Sequence, residues 1–575
     1  MTSHPQHYDV AIIGGGMAGV STAYHLMKQQ QQSPGTGFRG SIVLLEARNR
    51  LGGRIHAVEL PSCTVEYGAN WIHGIMGNPV CDLALKYKLA DPLGNEATHQ
   101  NKGVNGKRYT VQAVREDGKK VDLNLVEEVY DAYFWFLKQI ESYHSLSEKE
   151  GRDPPSEFNN SVGRHLVHDI HKYLQAKDNK DWIQVRKAVF RNLLLREAII
   201  SGSHTMDDVS LRDFGAYDDF PGGNLIVDAG YISIINVLLD EIDSMISDLR
   251  VEGKGVIPVF DCQLDKEVVQ IRWRNPVTSS SSSKSSPSSS AHPSSSSSNS
   301  FSQSENTCDI TCQDGSRYTC RHAVITLPLG VLKETSELMF DPPLPEYKIQ
   351  SIQSLGFSVV DKVFLEFKNK LSPKFLDPAV NELLLVWADE EDAGDESNNN
   401  NNNNNNNDKR KHNTAIVLKK GSPKNWFRSI YSLTKVSEYC LLGWLSGEDA
   451  EHVEQMDDQQ VAKVMTEEIL RKFFHPEFPE PESVFMTRWR SDRFTRGAYT
   501  FISTSSSVRD IEKLSQPIYS DPGQEKVSHS IMMMIMLTVS PVISRSCCLQ
   551  GKPVMRHTSR RHTGLSCPGR KQRHT

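Results

Sequence analysis

Three glycines spaced as Gly14-x-Gly16-x-x-Gly19 stand between an apolar strand, Val10 to Ile13, and an apolar helical stretch in "YDVAIIGGGMAGVSTAYHLMKQ". Each glycine suits a separate task in a phosphate-binding turn. Gly14 permits the tight turn, Gly16 lets a pyrophosphate approach the backbone, and Gly19 lets the helix pack close to the strand. The start of the helix then offers free N–H groups and the positive end of its dipole to the anion. A second strand-like run, "GSIVLLEARNR", ends at Glu46, an acidic residue placed to bind the hydroxyls of a ribose. The interval from the glycines exceeds the usual ~20 residues because "QQQQSPGTGFRG" lengthens the loop. The chemistry implied is dinucleotide binding on a doubly wound sheet.

The elements that must position this turn need a large core. The chain has 575 residues, enough for two or more domains at about 100–200 residues each. Its composition, 38% hydrophobic and 24% charged, is that of a globular protein. A net charge of -6 gives no basic field for nucleic acid. No apolar run approaches the ~20 residues that span a bilayer, so no membrane association is expected. Nor does the N-terminus have the form of a secretory signal. The ten cysteines include a Cys308-x-x-x-Cys312 pair without a second pair of ligands. No metal site is expected, and the chain reads as reduced and cytoplasmic. Residues 126–140 place Val126, Val129, Tyr130, Tyr133, Phe136, Leu137 and Ile140 at helical spacing, one face on a core. Two segments bury too little apolar surface to fold: the Ser-rich 278–304, and the ten asparagines 398–407. Both read as disordered insertions in loops between strands.

The stretch after Glu46, "LLEARNRLGGRIHAVEL", carries Arg48, Gly52, Gly53 and Arg54. It resembles the flavin amine oxidase family, whose arginines and glycines there contact FAD. Four further stretches resemble family blocks: "VEYGANWIHGIMGNPV", "RHAVITLPLGVLK", "SLGFSVVDKVFLEF" and "RWRSDRFTRGAYTFI". The likeness runs over roughly residues 7–525, apart from the two insertions, and its subgroup is polyamine oxidase and spermine oxidase-like. The resemblance implies an α/β fold, a Rossmann-type FAD-binding domain interleaved with an α+β substrate domain. The FAD domain is expected from 7–90, 222–335 and 485–526, the substrate domain from 91–221 and 336–484. FAD is the implied cofactor. The implied reaction takes a hydride from the carbon beside a polyamine nitrogen; the imine hydrolyses to amine and aldehyde, and O2 becomes H2O2. The oligomeric state is left open.

By the same resemblance Lys362 would hold a water at the flavin and assist its reoxidation, His73 would face the substrate amine, and Tyr499 and Trp489 would wall the site. Val268 would meet the adenine through its backbone. On the residues alone, Lys362 reads as an outward-facing lysine on an edge strand, His73 as a structural histidine, and Trp489 equally as plain core. One departure concerns specificity. Ile200 and Gly202 stand where an acidic residue and serines are expected, which favours N-acetylated polyamines. Monoamine oxidases and histone demethylases are rivals within the superfamily. The former usually carry a C-terminal membrane helix, the latter a long helical insertion, and neither is seen.

The C-terminus departs further. After "PIYSDPGQEK" the family has a last FAD block, approximately V-L-F-A-G-E-A-(S/T)-H, which the written sequence lacks. Joining the third base of each codon to the first two of the next restores it. Cys547–Cys548 must then encode Leu, and the following junctions admit Phe-Ala-Gly-Glu-Ala-Ser-His. Val527-Ser528 can be encoded by GTGAGT, the usual start of an intron. Residues 527–575 are therefore expected to be a retained-intron or frame-shifted tail, irregular and weakly packed, on a catalytically impaired product. A peroxisomal signal is conceivable only in a frame-restored form.

Overall fold

The computed structural model describes residues 5–32, 40–91, 110–177, 182–218, 220–251, 259–273, 308–388, 424–519 and 532–535. The Ser-rich segment and the asparagine run lie outside the described residues. The fold is α/β and holds two large sheets.

In the first sheet the strands run in the order Phe340–Asp341, Val268–Arg272, Cys308–Cys312, Arg317–Ile325, Gln6–Ile13, Ile42–Leu45, Phe260–Gln263. Gln6–Ile13 lies at its centre, parallel to both neighbours. Such a strand is covered on both faces, which is why Val10 to Ile13 and Ile42 to Leu45 read as unbroken apolar runs and are buried throughout. One cover is formed by the helices Met17–Gln32 and Ile232–Val251, which pack on each other. The other side packs Leu329, Met339, Phe340, Ile352 and Leu355 with Leu514 and Ile518. The boundary expected at 335 thus falls inside a segment that packs as one piece on this sheet. The strands Val268–Arg272 and Cys308–Cys312 are antiparallel neighbours, with Asp309 opposite Arg272, so the Ser-rich segment joins two paired strands.

The second sheet has the order Ser483–Met486, Val360–Glu366, Cys440–Ser446, Ser432–Lys435, Glu382–Val386, Val111–Arg115. Three helices, Leu123–Glu150, Val162–Gln175 and Ile183–Ser201, share an apolar core with its Leu384 and Val386. The periodic stretch 126–140 lies inside the first of these, and six of its seven apolar positions are buried, Tyr130 being the exception.

One expectation is corrected at the C-terminus. Met532–Ile535 is not irregular. It forms a strand parallel to Arg317–Ile325, with Met532 opposite His322 and Ile535 opposite Ile325, and antiparallel to Ile518–Tyr519. The physical reason lies in the backbone. A strand whose second edge would otherwise carry unpaired N–H and C=O groups accepts any extended segment that supplies partners. Residues 536–575 lie outside the described residues. Among the described residues no helix is long and apolar enough to cross a membrane.

Candidate active site

A cavity of about 630 Å3 gathers residues from both sheets. Every residue expected to bind the cofactor or to act in the reaction lines it except Gly19.

The glycine turn forms one end. Gly14 has φ +108, and a Cβ there would stand 2.5 Å from Thr326 Oγ1. The Thr326 hydroxyl in turn donates to the carbonyls of Ile13 and Gly14, at 2.9 and 3.1 Å. A Cβ on Gly19 would lie 1.9 Å from the Gly14 carbonyl oxygen, so the helix can approach the strand only without one. Gly16 differs. Its added Cβ would meet nothing closer than the Gly52 carbonyl at 3.8 Å, because it would project into open cavity. That open cradle at the start of the helix Met17–Gln32 is the feature a pyrophosphate needs.

Glu46 is buried, and its carboxylate is fixed from two sides. Gly15 N–H donates to Oε2 at 2.6 Å and Arg48 N–H to Oε1 at 2.9 Å. A carboxylate has about four lone-pair sites, so two remain for sugar hydroxyls. Arg48 pairs with Asp492 at 2.7 Å and lies over the Phe494 ring, 5.1 Å from its centroid. Gly52 and Gly53 both have positive φ and bring the chain back against Gly16. Arg54 donates to the Ala498 carbonyl. Burial lowers its guanidinium to about 10, and the same burial raises the Tyr499 hydroxyl beside it. Val268 is buried at the start of its strand and faces the same cavity.

The other end is aromatic and carries Lys362. The reading of an outward-facing lysine on an edge strand is overturned. Val360–Glu366 is an interior strand, flanked on both sides, and Lys362 is 3% exposed. Its Nζ donates to the carbonyls of Glu66 and Gly68, both at 2.7 Å, and to Asn70 Oδ1 at 3.4 Å. It also sits 4.8 Å from the Trp444 ring centroid. Burial lowers this ammonium to about 7, opposed by the nearby Glu66. Neighbouring Asp361 is fully buried and its carboxyl is pushed up, first by burial and then by Glu454. The two acids hold the loop that carries Trp489. Asp361 accepts from Thr487 Oγ1 and Trp489 N–H, Glu454 from the N–H groups of Arg490 and Ser491. His73 is half-buried on the strand Trp71–His73, in register with Asn224.

Ile200 and Gly202 do not line the cavity. Ile200 is buried near the end of the helix Ile183–Ser201, and Gly202 caps that helix. Cys308 and Cys312 are buried on their strand and belong to no metal-capable cluster among the described residues. Trp444, Asn70, Asp492, Phe494 and Thr326 support the site without having been singled out in the sequence. Of these, Asn70, Thr326, Asp492 and Phe494 lie inside the family-like stretches, whereas Trp444 in "CLLGWLSGEDA" has no motif around it.

Residues 17–219 and 297–524 match the flavin containing amine oxidoreductase family. The chain belongs to this family. FAD is accordingly its cofactor, and the cavity fits it: an open glycine cradle, a fixed acidic residue at the next strand end, and a long apolar continuation. This amine oxidoreductase is 28% identical over 522 residues to the peroxisomal N(1)-acetyl-spermine/spermidine oxidase of Bos taurus, covering 89% of this chain and 87% of that protein. It is 25% identical to a probable polyamine oxidase 5 of Arabidopsis thaliana, over 88% of each chain. Its fold is similar to that of wild-type putrescine oxidase bound to putrescine, with TM-score 0.53, 14% identity and coverage of 92% and 94%.

Proposed function

We propose that this amine oxidoreductase oxidises polyamines, with O2 as the electron acceptor and H2O2 as a product. The observation that carries the reading is a single cavity lined both by a dinucleotide cradle and by a buried lysine set against the Trp444 ring. When bound, FAD supplies the two-electron acceptor for the hydride beside the amine nitrogen. This chain's residues do the rest. The turn at Gly14 and Gly16 and the following helix start hold the pyrophosphate, Glu46 the ribose, and Arg48 and Arg54 add positive charge. Val268 closes the adenine end through its backbone. Trp489, Tyr499 and Trp444 exclude water and give an aliphatic chain apolar and cation–π contacts. Lys362 Nζ, poised about pH 7, holds or releases a proton beside the reacting centre. His73 faces the substrate nitrogen.

The preference for N-acetylated substrates rests on the relatives' named substrates, not on Ile200, which is off the cavity. A peroxide-release panel of spermine, spermidine, N1-acetylspermine and benzylamine tests the reading. Turnover of at least one polyamine well above benzylamine is expected, and the reverse order overturns it.

A second reading concerns the tail. The family match ends at residue 524, next to the position where the frame is expected to change. In this reading residues 527–575 replace the last FAD-contacting block, and the chain holds flavin weakly. Sequencing the transcript tests it: a spliced message that reads Val-Leu-Phe-Ala-Gly-Glu-Ala in frame supports it, and stoichiometric flavin in the chain as written refutes it.

A further inference from the structure

On the second sheet, three side chains converge that the proposed oxidation leaves without a task. Glu366 ends the strand Val360–Glu366, and Cys440 begins the strand Cys440–Ser446. They are register partners in an antiparallel pair. Directly opposed residues share one face of a sheet, their Cβ atoms roughly 4.5–5.5 Å apart. Over that face lies the hairpin of Ala57–Glu59 and Thr64–Glu66, whose Leu60 and Val65 pack with Phe364, Cys440 and Leu442. The turn of this hairpin brings in Cys63. The sulfurs of Cys63 and Cys440 and a carboxylate oxygen of Glu366 all lie within 4.8 Å of one another.

The carboxylate is the informative member. Glu366 is 3% exposed, and its Oε2 is buried with no hydrogen-bond partner. A buried carboxylate in that state is costly, and those that persist are paired or coordinate a metal. A disulfide between the two cysteines would occupy the sulfurs and leave Glu366 unexplained. A cation uses all three groups.

We propose that Cys63, Cys440 and Glu366 bind a thiophilic divalent cation, zinc in the first instance, which clamps the hairpin to the second sheet. The donor set selects the metal class: thiolates favour zinc over the hard ions that need oxygen cages. Zinc bonds of about 2.3 Å to sulfur and 2.0–2.2 Å to oxygen place tetrahedral ligands roughly 3.6–3.8 Å apart. The three atoms, within 4.8 Å of one another, would draw closer to that spacing around an ion. Cys63 is half-buried, so solvent reaches this side of the cluster and a water would supply the fourth ligand.

The clamp has a consequence for the cavity. Three residues beyond Cys63, Glu66 offers the carbonyl that accepts from Lys362, and Gly68 offers the next. Glu366 lies on the same strand as Lys362. The ion would therefore tie together both segments that fix the lysine.

The test uses the full chain, purified with a thiol reductant, stripped with a chelator, and titrated with cobalt(II) and then zinc(II). One cobalt per chain is expected, with a thiolate-to-cobalt charge-transfer band that zinc abolishes. Cys63→Ser, in a hairpin turn, should fold and keep its flavin content yet lose the band. Glu366→Gln should weaken cobalt binding about 10-fold or more. Amide exchange over 57–68 should slow when zinc is added. Failure to retain cobalt stoichiometrically overturns the proposal. So does a band that survives Cys63→Ser, or a Cys63–Cys440 disulfide in the isolated protein with no metal uptake after reduction.

Discussion

At the scale of single residues, Lys362 is pulled two ways. Three oxygens accept from its Nζ and favour the charged form, while burial favours the neutral one and brings the ammonium to about 7. An unfolded lysine titrates near about 10.4. Between about pH 7 and 10 the unfolded chain therefore binds the proton that the folded one has lost, so stability rises with pH across that window. The cost is full below about 7 and fades toward about 10. Lys362→Met removes the group from both states. Its denaturation midpoint, measured against the parent, should compare more favourably at pH 6 than at pH 9; a difference independent of pH would show that Lys362 stays charged. In flavin half-reactions the same variant should be slower by about 10²-fold or more, and the parent's rate change near pH 7 should vanish. Gly16→Val makes a separate prediction. Its side chain would enter the cavity where only the Gly52 carbonyl lies within 4 Å. The expected outcome is a fold unchanged by circular dichroism with flavin content reduced to a small fraction.

At the scale of elements, the end of the helix Ile183–Ser201 shows what residue type alone conceals. Gly202 was expected to speak for substrate choice. It sits instead at φ +64 as the left-handed cap of that helix, and a Cβ there would lie 2.4 Å from Tyr499 Cβ. The missing side chain makes room for the aromatic wall. Gly202→Ala should cost more than about 1 kcal/mol in chemical denaturation, since backbone strain and the clash act together. It should also lower activity by displacing Tyr499. The strand–turn–helix at Gly14 was legible because Gly14 and Gly19 answer steric demands that only glycine meets, while Gly16 leaves the cradle between them open. The helix over 126–140 was legible from its periodicity. The lysine strand was legible only through the family likeness, since "VVDKVFLEF" alone cannot distinguish an interior strand from an edge. What holds Lys362 was not legible at all. Two of its acceptors are backbone carbonyls, which every residue possesses, and Trp444 reaches it from a strand 82 positions later only through the pairing of Val360–Glu366 with Cys440–Ser446. The packing of 336–355 on the first sheet was not legible for a similar reason: its apolar residues look alike whichever sheet they cover.

At the scale of the whole molecule, the first sheet is closed by a segment that the family likeness does not reach. The strand Arg317–Ile325 is paired along its length with Gln6–Ile13 on one side. On the other it is shared: Cys308–Cys312 covers Arg317 to Cys320, and Met532–Ile535 covers His322 to Ile325. Without the latter, the half of the strand that leads into Thr326 and the cavity would have an open edge. Ile518–Tyr519 would lose its partner as well. Each backbone hydrogen bond contributes about 0.5–1.5 kcal/mol net, so loss of the four-residue pairing with Arg317–Ile325, at about one bond per residue, should cost roughly 2–6 kcal/mol. Two truncations separate the contribution of this strand from that of residues 536–575. A chain ending at residue 535 should unfold at the denaturant concentration of the full chain. A chain ending at residue 519 should unfold markedly earlier and release flavin more readily, because the Thr326 hydroxyl that braces the glycine turn hangs from the uncovered strand. Equal midpoints for the two truncations would mean that the edge is closed by other means and that Met532–Ile535 contributes nothing to the sheet.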